Sequence, residues 1–168
     1  MAEYIEAGER VKKLASDLID QYHKHLGSAR IAFVFRDKAM KSKGKKVAAK
    51  TSKLGKKNKK LTALGTDHEG FDFVIEIAEP WWSGATERMQ KALLDHELSH
   101  CVLKEDGKWG TVSHDFEGFR DVVDRWGFWC GDLKQFKSRL QQMELPIAKR
   151  FNEQDNDRGK LEVVKAAN

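Results

Sequence analysis

His96-Glu97-Leu98-Ser99-His100 closes an apolar-periodic stretch that begins near Thr86. On an α-helix, two histidines four residues apart project from one face about a turn apart, close enough to grip one metal ion. Imidazole nitrogens suit Zn2+, and a carboxylate beside a metal-activated water can take its proton, which is the machinery of metal-assisted amide hydrolysis. The bland alternative is a surface helix carrying two satisfied histidines, so the surrounding sequence has to decide. Met89, Leu93, His96 and His100 share a face, which turns the histidines inward. Thr86 fits an N-cap, and Glu87 suits the first turn, where the helix dipole favours an acid. The helix is expected to end near Asp106-Gly107, with Gly107 as its C-terminal cap.

Just upstream, Phe71 to Ala78 alternates Phe71, Phe73, Ile75 and Ile77 with Asp72, Val74, Glu76 and Ala78, the pattern of a strand packed on a core. If it is an edge strand, an extended peptide could add to it. Pro80 ends it, and Trp81-Trp82 then either pack against the core or line a groove. Downstream, Lys108 to Val112 reads as a short connection. Ser113 is a plausible N-cap for a second helix with Asp115 and Glu117 in its first turn, buried through Phe116, Phe119, Val123 and Trp126 and stopped by Gly127. His114, at the entry to that helix, has 13 residues between it and His100 in which to fold back, which makes it the candidate third ligand. Glu117 and Asp106 are the alternatives. The longer H-E-x-x-H-x-x-G-x-x-H pattern is excluded, because Leu103 and Asp106 stand where its glycine and last histidine belong. Hydrogen-bond partners for the ligand histidines are expected among Asp95, Asp115 and Glu117.

At the start of the chain, Val11, Leu14, Ala15, Leu18, Ile19, Tyr22 and Leu26 recur at helical spacing, predicting one amphipathic helix from about Ala2 to Leu26 instead of a signal peptide. His23 and His25, at its polar end, are expected on the surface, as is His68 in the turn Thr66 to Gly70. Ile31 to Phe35 reads as a buried strand, and Leu61 to Leu64 as a further short one. Past Gly131, Leu133, Phe136, Leu140 and Met143 form another amphipathic stripe that Pro146 closes.

A chain of 168 residues, 40% hydrophobic and 34% charged, fits one domain with a real core, and no apolar run approaches membrane-spanning length. Two cysteines, Cys101 and Cys130, make no disulfide framework, so a reducing, cytoplasmic setting is expected, with Cys101 a buried apolar thiol. The net charge of +5 is uneven. Residues 38–60 hold 11 lysines and no acid, leaving 20 basic against 26 acidic groups elsewhere. With Ser42, Gly44, Ser52, Gly55 and Asn58 interspersed, this stretch reads as a mobile loop or loosely paired hairpin. Lys41, Lys43, Lys45, Lys46, Lys53, Lys56, Lys57, Lys59 and Lys60 are its candidate contacts to a phosphate backbone; without an apolar face, a membrane role is disfavoured.

Three runs, Phe71-Asp72-Phe73-Val74-Ile75-Glu76-Ile77-Ala78, Leu93 to Cys101 and His114-Asp115-Phe116-Glu117-Gly118-Phe119, resemble the putative phage metallopeptidase family. Phe33-Val34-Phe35-Arg36-Asp37-Lys38 and Lys41-Ser42-Lys43-Gly44-Lys45-Lys46 are similar to it as well, so the resemblance covers about residues 30 to 130. The site layout is more distantly similar to the SprT-like proteases. The resemblance implies a compact zincin-like fold, His96, His100 and His114 as ligands of one Zn2+, and Glu97 as general base. The expectation is an α+β domain over residues 1–150, a small mostly antiparallel sheet packed with an N-terminal helix, the H-E-x-x-H helix and those after it, followed by a polar tail over 151–168. Its expected function is zinc-dependent hydrolysis of peptide bonds in protein substrates, with nucleic acid as a candidate partner. The alternative is a non-catalytic phage protein that uses this scaffold to hold nucleic acid or a host protein.

Overall fold

The computed structural model describes residues 2–42, 45–114 and 119–139. Lys43, Phe116, Glu117, Leu140, Met143, Pro146 and the tail lie outside the described residues. The chain divides after Trp129 into two units.

In the first unit four strands make one sheet. β1 (Tyr4–Glu6), β2 (Ile31–Arg36), β6 (Phe73–Ala78) and β5 (Ala49–Lys53) lie in the order β1-β2-β6-β5. β1 runs antiparallel to β2 and β5 antiparallel to β6, while β2 and β6 are parallel. Phe33, Ile75 and Thr51 sit side by side across the three strands β2, β6 and β5. Because successive side chains point to opposite faces, Phe33, Phe73, Ile75 and Ile77 enter the core together. There they meet Val11, Ala15 and Leu18 of α1 (Glu9–Tyr22) and Leu93, Leu94 and Leu98 of α4 (Glu87–Ser99). The result is the α+β architecture anticipated from the sequence, with two amphipathic helices in the core formed by one sheet face.

The structure corrects several element boundaries. The N-terminal stretch is not one helix: Tyr4-Ile5-Glu6 pairs along β2, Gly8 is the N-cap of α1, and a short 3-10 turn (Lys24–Leu26) follows it. Helical periodicity starts only at Val11, and the β-formers before it find a strand to extend. Phe73–Ala78 is not an edge strand, since β2 and β5 flank it; the edges are β1 and β5, the latter from the lysine-rich stretch. That stretch also forms the hairpin of β3 (Met40–Ser42) with β4 (Lys45–Val47) and most of α2 (Lys56–Ala63). Leu61 to Leu64 is the end of α2 and not a strand, and Leu61 and Leu64 are exposed.

The H-E-x-x-H helix α4 ends at Ser99, well before Asp106. Thr86 caps its start by accepting from Met89 N at 3.3 Å. Beyond His100 the chain turns into a hairpin of β7 (Cys101–Leu103) and β8 (Trp109–Thr111), where the sequence predicts the rest of the helix and a short connection. Asp106-Gly107, with Gly107 at φ +71°, is the turn of that hairpin. Asp-Gly is a hairpin signal as much as a helix stop, and the β-formers on either side decide between them. After His114 the next described helix is α5 (Arg120–Trp126), with Phe119 and not Ser113 at its N-cap and Gly127 at its C-cap. Trp82, on the short α3 (Glu79–Gly84), is buried against Phe35, and Trp81 meets Trp129.

In the second unit a helix covers 131–139, with Leu133 buried and Phe136 half-buried.

Candidate metal centre and its surroundings

Helix α4 presents His96, and its C-cap His100 follows a turn later, with ring centroids 5.2 Å from each other. The β7–β8 hairpin brings the chain back beside them. Val112 N donates to His100 O at 3.0 Å, and His100 Nδ1 donates to Val112 O at 2.7 Å. Two residues further on, His114 Nε2 lies 2.9 Å from His96 Nε2 and 3.0 Å from His100 Nε2. Phe119 stands edge-on to all three rings at 4.8–5.3 Å.

The protonation states follow from these surroundings. A carbonyl can only accept, so His100 carries its proton on Nδ1 and turns a lone pair toward the cluster. Burial, then the charges of His114 and His100, push His96 down to about 3. Burial also lowers His100, against the Val112 hydrogen bond. Both rings are therefore neutral at ordinary pH, the form that binds a metal. Three ring nitrogens crowded this closely cannot all satisfy one another by hydrogen bonds, whereas one cation between them can satisfy all three. Their spacing is slightly tighter than the about 3.3–3.4 Å edge of a tetrahedron built on bonds of about 2.0–2.1 Å. Among the described residues, His96, His100 and His114 form the group able to hold a metal ion. Asp106 sits apart, exposed and paired with Lys108 at 2.8 Å, and Glu117 lies outside the described residues.

Glu97 is 4% exposed. Thr51 Oγ1, on the edge strand β5, lies 2.7 Å from Glu97 Oε2 and 3.0 Å from Glu97 O. Burial pushes the Glu97 carboxyl up to about 7, against hydrogen bonding from the Thr51 side chain and backbone. Burial likewise raises the Cys101 thiol to about 12, so it is an inert core group.

Asp95 does not pair with His96, His100 or His114, contrary to the expectation from sequence. Its fully buried carboxylate receives Arg125 Nε and Nη2 at 2.7 and 2.8 Å, Trp126 Nε1 at 2.7 Å and His23 Nε2 at 2.6 Å. His23 is thus buried and not a surface residue. It follows Ile19 by four positions, so it lies on the apolar stripe of α1, a signal the sequence does contain. His25 is exposed, as expected, while His68 is half-buried and accepts from Gly70 N at 2.9 Å. Thr51, Arg125 and Trp126 are the other residues that sequence reasoning missed. Thr51 carries no mark that separates it from the polar residues around it.

Of the lysines, Lys41, Lys46, Lys50, Lys53, Lys56, Lys57 and Lys60 are exposed, whereas Lys59 is committed to Asp72 at 2.6 Å. No helix among the described residues is long and apolar enough to cross a membrane.

Over residues 2–143 the sequence matches the family described as putative phage metallopeptidase. The chain belongs to that family. No curated protein and no solved structure gave a match, so the similarity to SprT-like proteases finds no support. The match to the phage metallopeptidase family reaches well beyond residues 30 to 130 and takes in β1 and α1, the elements that complete the sheet and its core. A metallopeptidase family implies a protein or peptide substrate, and the histidine cluster is where its metal ion could sit.

Proposed function

We propose that this protein is a zinc-dependent peptidase with His96, His100 and His114 as the ligands and Glu97 as the general base. The observation that carries the reading is the convergence of three Nε2 atoms, two of them on rings held neutral, one residue from a buried glutamate. An all-nitrogen, three-residue donor set suits Zn2+ with a coordination position left open, and the ion when bound supplies Lewis-acid activation of a water and of a peptide carbonyl. Glu97 takes the proton of that water and later delivers it to the leaving amine. A carboxyl that burial raises to about 7 is suited to both halves of that task near neutral pH. Strand β5 is the open edge of the sheet nearest Glu97, so an extended peptide pairs along it as a further strand. The exposed lysines before, on and after β5 support a role for nucleic acid in bringing substrate proteins to this edge.

Elemental analysis of wild type beside His114→Ala and Glu117→Ala tests the ligand set. One zinc per chain, lost with His114→Ala and kept with Glu117→Ala, is the expected result. Hydrolysis of a peptide library, read by mass spectrometry, should follow for wild type and vanish in Glu97→Gln with zinc retained. Full zinc without cleavage of any peptide would favour a non-catalytic binding protein instead.

A further inference from the structure

A general base works only where its carboxyl is held, and Glu97, 4% exposed, is held by the protein around it. The structure places one hydroxyl against it. Thr51 Oγ1 is 2.7 Å from Glu97 Oε2 and 3.0 Å from Glu97 O, yet it has a single proton to give and two lone pairs. Donated to Oε2, that proton leaves the main-chain oxygen its bond from His100 N at 3.3 Å. The hydroxyl oxygen itself is fixed by the sheet, since Thr51 is paired with Ile75 in the β5–β6 ladder and its own strand is held from Ala49 to Lys53.

We propose that Thr51 is a positioning residue for Glu97, its sheet-anchored hydroxyl fixing where the carboxyl sits. This rests on the peptidase reading above and adds a requirement to it: the edge strand that accepts substrate also sets the base.

Acetohydroxamic acid is a suitable probe, because it chelates an active-site metal and donates to a carboxylate beside it. Its affinity for the zinc-loaded protein is measured by calorimetry for wild type, Thr51→Val, Thr51→Ser, Glu97→Gln and the double variant Thr51→Val/Glu97→Gln, each with its zinc content. Thr51→Val is expected to weaken binding by about tenfold or more, the scale of a lost hydrogen bond to a charged group, and Thr51→Ser to bind as wild type does. In the Glu97→Gln background Thr51→Val should cost nothing further, whereas a merely structural effect would add to it. Wild-type affinity in zinc-replete Thr51→Val, or additive losses in the double variant, overturns the proposal for Thr51 and leaves the metal site standing. Absence of zinc from the wild type overturns the peptidase reading and this inference with it. If Thr51→Val does not fold, Thr51→Ser decides: tenfold weaker binding there, with the hydroxyl retained, also overturns it.

Discussion

Asp95 Oδ1 lies 2.6 Å from His23 Nε2, across 72 residues of sequence, and the same carboxylate is clasped by Arg125 and Trp126. One buried acid thereby ties the C-terminal end of α1 and the last turn of α5 to the residue before His96. Removing one partner of a buried charged group costs about 3–5 kcal/mol when the other is left uncompensated. Arg125 is part-exposed and rests over the Tyr22 ring, which places Asp95→Ala near the lower end of that range. Urea unfolding should report it; a loss under about 1 kcal/mol would show that the network does not hold these helices.

The same carboxylate sets a pH dependence. Burial raises its pKa, but the hydrogen bonds from His23, Arg125 and Trp126 outweigh that and hold it below the usual carboxylate value. A folded-state pKa lowered from about 3.9 contributes stability above that pH and loses it as the pH falls through the folded value. In metal-free protein, the melting temperature of wild type should therefore fall more steeply than that of Asp95→Asn below about pH 4. Parallel acid limbs for the two proteins would remove Asp95 as the cause.

A second long-range tie is built on a glycine. Gly70 adopts φ +84°, and a Cβ there would lie 1.9 Å from Lys59 O. The close approach lets Lys59 reach Asp72 at 2.6 Å and Thr62 Oγ1 accept from Phe71 N at 3.0 Å, fastening α2 to the start of β6. Gly70→Ala meets both a left-handed backbone and a main-chain clash, and should destabilise by about 1–3 kcal/mol. Differential scanning calorimetry against Gly65→Ala, which shares the positive φ but has open space around it, separates the clash from the backbone term.

These residues mark where the sequence was legible and where it was not. That His96, His100 and His114 come together could be read because two histidines four residues apart on a helix and a third past a return turn are local patterns, and so could the Phe73–Ala78 alternation. What failed was the distinction between neighbours that share a local signal: Asp106-Gly107 suits a helix stop and a hairpin turn alike. The lysine-rich stretch hid an edge strand, because a strand covered on one face needs only alternate inward residues. Ala49 and Thr51 supply them while Lys50 stays in solvent. Asp95, His23 and Arg125 form a purely tertiary network, and nothing local to any one of them names the other two.

The last prediction concerns the lysines. Lys41 and Lys46 on the β3–β4 hairpin, Lys50 and Lys53 on β5, and Lys56, Lys57 and Lys60 on α2 are all exposed. Lys59 is excluded from this set by its pairing with Asp72. If these side chains meet phosphates, binding of a short labelled DNA duplex releases counterions. The logarithm of affinity should then fall linearly with the logarithm of salt concentration, by about 0.9 for each phosphate met. Contact with roughly four phosphates would weaken binding about a hundredfold between about 50 and 200 mM salt. Changing Lys56, Lys57 and Lys60 to glutamate should lower both the affinity and the slope, leaving zinc content and the His96–His100–His114 cluster untouched. Fluorescence anisotropy across a salt series reads both quantities. A flat salt response, or a steep one that the triple variant does not reduce, would remove this surface as the nucleic-acid contact.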